Sequence, residues 1–283
     1  MKNLNSSLVL ILTLLSISIF AQEAKLKGNR NVVSEKRAIS EFNSIEVIDN
    51  INVLLVYNEQ QSVNVKTDSN LQEAVLTEVN NGTLTIKTAL KIVRKKELTV
   101  LVKVNKNLKE IYAYNNASVS SNNLLIIDSL KLNAYDNSNF NLKLNSKNFH
   151  LSGKKLSKFK LEILADDITI NTEENCGIDA VIDAKNITVN LLDRSNFTLD
   201  GTTTNLNVSL YGSSVFKGKN CFSETAVINV SNNSNASINA SKTLEILAKN
   251  SAKVFVYSNP KITLAEFFDK ASIHKRELDK KLF

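Results

Sequence analysis

The chain is short of the residues that build metal centres and disulfide frameworks. It has two histidines, His150 and His274, and two cysteines, Cys176 and Cys221. The histidines fall six coils apart on the repeat described below, so they cannot share a ligand, and no Cys and His cluster has metal spacing. The cysteines sit two coils apart, about 10 Å along the axis. That is beyond the reach of a disulfide, and two free, buried thiols are expected. Beyond residue 20 no apolar run approaches the length of a membrane span. Basic residues exceed acidic ones by +7 but are spread along the chain, which argues against nucleic acid as a partner. No catalytic or nucleotide-binding constellation stands out, and no cofactor is implied. Glycine is scarce, seven in all, so corners fall to other residues.

What the chain has instead is a repeat. Nine copies of one phrase begin at Ile111, Leu132, Leu151, Ile170, Val189, Val208, Ile228, Ile246 and Ala265. Each ends eight residues later, at Val119, Phe140, Phe159, Ile178, Phe197, Phe216, Ala236, Val254 and Ile273. Apolar residues alternate with polar ones around each start, the mark of a strand with one buried face. Four residues on comes a turn column: Asn115, Asp136, Lys155, Glu174, Asp193, Gly212, Asn232, Asn250 and Asp269. Asn, Asp and Gly accept the backbone a corner needs. Two residues further the column is small throughout, from Ala117 and Ser138 to Ala271. The last position is bulky, and Phe140 can stack on Phe159 as Phe197 can on Phe216.

A period near 19 residues without helical patterning predicts an all-β, single-domain parallel β-solenoid. Its nine coils make a rod of roughly 38 Å, and its hand is expected to be right, as for parallel crossovers generally. Residues 1–21 read as a signal peptide: a basic start at Lys2, an apolar run from Leu8 to Phe20, and Ala21 before the cut. Residues 22–36 read as a flexible linker, and the solenoid domain spans 37–283. Within it, 37–104 is strand-rich but off the period, forming wider first coils and a cap. The regular repeats occupy 105–273, and 274–283 is a charged tail.

Several stretches carry a family resemblance. They are Arg37-Ala38-Ile39-Ser40-Glu41-Phe42-Asn43-Ser44-Ile45-Glu46-Val47, Ile51-Asn52-Val53, the turn Asn81-Gly82-Thr83-Leu84-Thr85-Ile86, the Ser-x-Phe repeats, and Tyr257-Ser258-Asn259-Pro260-Lys261-Ile262. In that order they resemble the auto-transporter adhesin head domain, or GIN domain family (DUF2807), over Arg37 to Ile273. Asn50 stands where the family has the Gly of its name, and Asn and Asp replace Gly at the corners. The resemblance implies an exported bacterial β-solenoid of the cell envelope, with adhesin as a family-level function.

Two groups of side chains are candidates for a ligand face. Asp136, Lys155, Glu174 and Asp193, with Arg194 alongside, fall on consecutive coils and so line one edge, where they read first as a charge ladder. Tyr112, Tyr114 and Tyr135 project from neighbouring coils and form a small aromatic platform suited to a sugar. The expected function is a non-enzymatic envelope or surface protein. It presents a rigid face to a polysaccharide or an envelope or surface protein, in the periplasm, at the outer membrane or outside the cell. The competing readings are an enzyme acting on polysaccharide through the turn-column charges, and a structural element that self-associates through open solenoid ends.

Overall fold

The computed structural model describes residues 25–278, and the expected signal peptide lies outside them. Apart from one 3-10 turn, Ser69–Ala74, its regular elements are all strands. They stack in parallel in the register the repeat predicts. Ile111, Leu132, Leu151, Ile170, Val189, Val208, Ile228 and Ile246 each pair with the next in one ladder. Val119, Phe140, Phe159, Ile178, Phe197, Phe216, Ala236, Val254 and Ile273 do so in a second. The inward side chains of both ladders merge into one continuous core, as expected where each coil buries its apolar face on its neighbours.

Each coil has two corners. One is the turn column, where all nine residues take positive φ, from +52° at Lys155 to +82° at Gly212. The other is a bend inside long strands such as Lys158–Thr172 and Gly177–Leu191. There the pairing skips Asp166 and Lys185, which form an ion pair at 2.8 Å. Beside it runs a polar ladder in which Asn186 donates to Asp167 at 2.7 Å, Asn205 to Asn186 at 2.7 Å, and Thr225 to Asn205 at 2.9 Å. Side-chain amides repeating at coil spacing can donate upward and accept from below, so each closes a hydrogen bond that water would otherwise supply.

The aromatic column packs as its spacing implies. Phe140 and Phe159 stack with centroids 5.7 Å apart, whereas Phe197 and Phe216, 5.6 Å apart, meet edge to face at 82°. Both arrangements suit the ring quadrupole and contribute about 0.5–1.5 kcal/mol per pair beyond the area buried. Gly201 interrupts the inward column of Leu144, Ile163 and Ile182 at φ +117°, where an added Cβ would lie 2.1 Å from the Ile182 carbonyl oxygen. Both cysteines are free and fully buried. Burial is the largest cause raising both thiols, Cys176 to about 11 and Cys221 to about 12.

Three boundaries differ from those the sequence implies. Part of the expected linker is ordered: Lys25–Lys27 pairs with Lys91–Arg94, and Val32–Arg37 runs antiparallel to Ser62–Asp68. Its polar composition hid two edge strands held by backbone hydrogen bonds. At the far end, Leu264 rather than Ala265 continues the start column, because a bulge precedes Glu266. Residues 274–276, expected in the tail, belong to the last strand, Ser272–Arg276.

The off-period segment adds two coils in an order the sequence conceals. Ile45 pairs with Ile111 and Val53 with Val119, so residues 44–57 extend both ladders one coil below the repeats. Ile45 and Val53 keep the eight-residue offset. The chain then leaves, and Leu84 and Val100 return beneath as the next coil. Antiparallel strands Val75–Asn80 and Ser62–Asp68 close that end, leaving Leu84, Ile86, Val100 and Val102 fully buried.

Candidate functional site

The turn edge is held by bonds from coil to coil. Asn116 N–H donates to the Asp136 carbonyl at 3.0 Å, Asn137 to Lys155 at 2.8 Å, and Leu156 to Glu174 at 3.0 Å. Inside the corner, the Ser138 hydroxyl donates to the Tyr135 carbonyl at 2.5 Å and Ser157 to Lys154 at 2.7 Å. These contacts explain how Lys155, Leu156 and Glu174 persist in left-handed backbone, which costs an L side chain roughly 1–2 kcal/mol each. The small inward column is required because the corner leaves room only for a hydroxyl, thiol or methyl.

On the outside of this edge the charges behave as a ladder in part. Lys155 Nζ lies 3.3 Å from Asp136 Oδ1, both substantially exposed, a pair worth about 0–1 kcal/mol in solvent. Arg194 Nε donates to Asn175 Oδ1 at 2.6 Å, across one coil step. Glu174 and Asp193 continue the row, at φ +56° and +60°. All these side chains stand side by side along one outer rim rather than facing each other across a groove.

The tyrosines are brought together. Ala113 pairs with Ala134, so Tyr114 and Tyr135 are equivalents on adjacent coils. Their rings stack at 5.1 Å and 7°. Tyr112, two residues before Tyr114 and on the same outward face, lies 6.5 Å from it and is nearly coplanar in orientation, at 2°. Burial is the main cause that raises the Tyr112 phenol, to about 12, with the neighbouring Glu110 carboxylate adding to it. Tyr114 is raised by burial and then by Tyr135 and nearby carboxylates. Tyr112 therefore keeps its O–H donor at physiological pH, and the shift of Tyr114 acts in the same direction.

Five of the eight residues singled out in the sequence thus form one patch: Tyr112, Tyr114, Tyr135, Asp136 and Lys155. Glu174, Asp193 and Arg194 lie further along the edge, at about 5 Å per coil. Sequence reasoning missed the polar rim of the patch. Glu110 accepts from Asn133 Nδ2 at 3.2 Å and lies 4.0 Å from Lys131 Nζ. Lys154, one coil on in the column of Tyr114 and Tyr135, pairs with Glu173. The column itself was the available signal. Beside Glu110 a shallow depression of about 530 Å³ is lined among others by Lys131, Asn148, His150 and Asp167. His150 there is shifted down, first by burial and then by Lys131, which favours the neutral ring.

Among the described residues no group of His, Cys, Asp and Glu could hold a metal ion, and no helix is long and apolar enough to cross a membrane. The fold and its outward patch define a class: a parallel β-solenoid with an aromatic and charged band on one face. The chain belongs to the family described as "putative auto-transporter adhesin, head GIN domain", whose model matches residues 41–162 and again 150–260. No curated protein matches it. Among solved structures it is similar to a "putative adhesin" from Parabacteroides merdae ATCC 43184, at TM-score 0.68 and 15% identity, covering 89% of this chain and 99% of that one. It is also similar to a "putative lipid binding protein" from Parabacteroides distasonis ATCC 8503, at TM-score 0.67 and 17% identity, covering 89% and 100%. A further "putative adhesin" from the latter organism gives TM-score 0.66 and 16% identity, covering 90% and 100%. At these identities the likeness is one of fold.

Proposed function

We propose that this protein is an exported, non-enzymatic adhesin of the cell envelope or surface that presents the tyrosine patch to a polysaccharide. The observation that carries the reading is the run of three near-parallel rings, Tyr112, Tyr114 and Tyr135, rimmed by hydrogen-bonding Glu110, Asn133, Lys131 and Lys154. A sugar presents C–H groups that pack on aromatic surface and hydroxyls that need donors and acceptors in fixed positions, and this patch supplies both. A rigid solenoid holds them without an ordering cost on binding. Membership of an adhesin family supports the same reading.

A glycan-array screen of residues 22–283 tests it, run beside Tyr114→Ala/Tyr135→Ala and the triple variant Asp136→Ala/Glu174→Ala/Asp193→Ala. Binding by the wild type that the tyrosine variant loses is the expected result. Absence of binding by the wild type, or binding that the tyrosine variant retains, overturns the proposal. Loss only in the triple variant, with release of reducing sugar by the wild type, would move the function to the turn edge and make it enzymatic.

A further inference from the structure

We infer that two copies of this chain join at their C-terminal coils, strand edge to strand edge, with the inward side chains of the last coil forming the core of the joint. The inference goes beyond ligand binding at the tyrosine patch and is independent of it.

The two ends of the solenoid are unlike. At the N-terminal end, antiparallel strands cover the terminal coil and its inward residues are fully buried. At the other end, Lys261–Phe267 is exposed along its whole length. Its apolar residues Ile262, Leu264 and Phe267 are 44%, 51% and 40% exposed, while Leu244, Ile246 and Ala248 one coil below are at 1%, 0% and 1%. Phe268 beside them is 59% exposed. Among the described residues, Lys261–Phe267 and Ser272–Arg276 each have a ladder partner on one side only. Their outer faces therefore present free N–H and C=O groups beside apolar side chains. Proteins that keep such an edge monomeric place a charge inward, a proline within the strand, or a covering segment over it. Here Ile262, Leu264, Phe267, Ala271 and Ile273 carry no charge, and Pro260 precedes the strand rather than interrupting it. The one inward charge, Lys275 over the buried Val256, is folded back onto its own chain, where it donates to the Ser258 and Arg276 carbonyls.

A second copy is the occupant that answers both edges at once. A two-fold axis perpendicular to the solenoid lays each edge antiparallel against one of equal kind and brings the two apolar sets together, as an isologous interface requires. The rim carries both signs, with Glu266, Asp269 and Glu277 among Lys261, Lys270 and Arg276, so the faces can offset one another's charge. The last coil runs from 261 to 276. At the roughly 30–40 Å² per residue of standard interfaces, its sixteen residues bury about 500–640 Å² per copy, the small end of specific interfaces. Because the opposite end is capped, assembly stops at two rather than growing into a fibre.

The test is sedimentation velocity of residues 22–283 from micromolar to near-millimolar concentration, with hydrogen exchange of residues 261–276, on the wild type and on Leu264→Lys/Phe267→Glu. Both substituted side chains are exposed in the single chain, so circular dichroism should be unchanged. The expected result is a doubling of mass with concentration, exchange protection of 261–276 in the dimer, and loss of both in the variant. A wild type that stays monomeric overturns the inference, including one whose 261–276 amides are protected by its own chain. Association that the variant retains, or that passes beyond two copies, overturns it equally.

Discussion

Replacing Asp68 with Asn should loosen the N-terminal cap while leaving the solenoid folded. Asp68 ends the strand Ser62–Asp68 and is fully buried. One carboxylate oxygen accepts the Arg30 N–H; the other accepts Lys96 N–H at 2.8 Å and Glu97 N–H at 3.4 Å. The carboxylate thus ties Arg30 and residues 96–97 to the core. Burial alone would raise its pKa, but the backbone N–H groups of Lys96, Arg30 and Glu97 outweigh burial and hold it below the usual value. Asparagine keeps one acceptor but turns an N–H₂ toward the Lys96 and Glu97 donors. Each hydrogen bond to a charged group is worth about 1.5–3 kcal/mol net, so losing two costs the cap on the order of 3–5 kcal/mol. Opening is local in a stacked array. The readout is therefore hydrogen exchange of peptides covering 28–31 and 95–97, which should rise by at least a hundredfold, with little change in 160–250. The folded carboxyl titrates below the unfolded value of about 3.9. Its contribution is complete above that pH and is lost as pH falls through the folded value. Wild type and variant should therefore converge in acid. Equal exchange at neutral pH, or a difference that persists unchanged into acid, refutes the account.

Three further outcomes follow from the same geometry. Leu156 sits in left-handed backbone at φ +65° with its side chain 55% exposed. Leu156→Asn should therefore stabilise by about 0.5–1 kcal/mol, since Asn tolerates that region, read as a higher denaturation midpoint. Gly201→Ala should destabilise by about 3 kcal/mol or more, because its methyl must displace the Ile182 carbonyl or break the local ladder; an unchanged melting curve would contradict the close approach. Cys176 and Cys221 should resist a thiol reagent in the native protein and react together on unfolding, as burial and raised pKa values require.

The sequence alone was enough for the repeated part of the fold, because a parallel stack translates sequence period directly into spatial neighbourhood. One coil is one period, so Val119, Phe140 and Phe159 could only fall on one another, and a column of Asn, Asp and Gly could only be a corner. The tyrosine stack was legible for the same reason, since Tyr114 and Tyr135 differ by one period. Three things required the tertiary structure. The coil containing Ile45 and Val53 lies between one that follows it by 39 residues at Leu84 and one that follows it by 66 at Ile111, a register no period encodes. Residues 25–27 and 32–37 became strands only because other strands offered them hydrogen bonds. The unlike ends came last: Val100 and Ile262 have similar chemistry, and only what lies over each decides that one is buried and the other exposed.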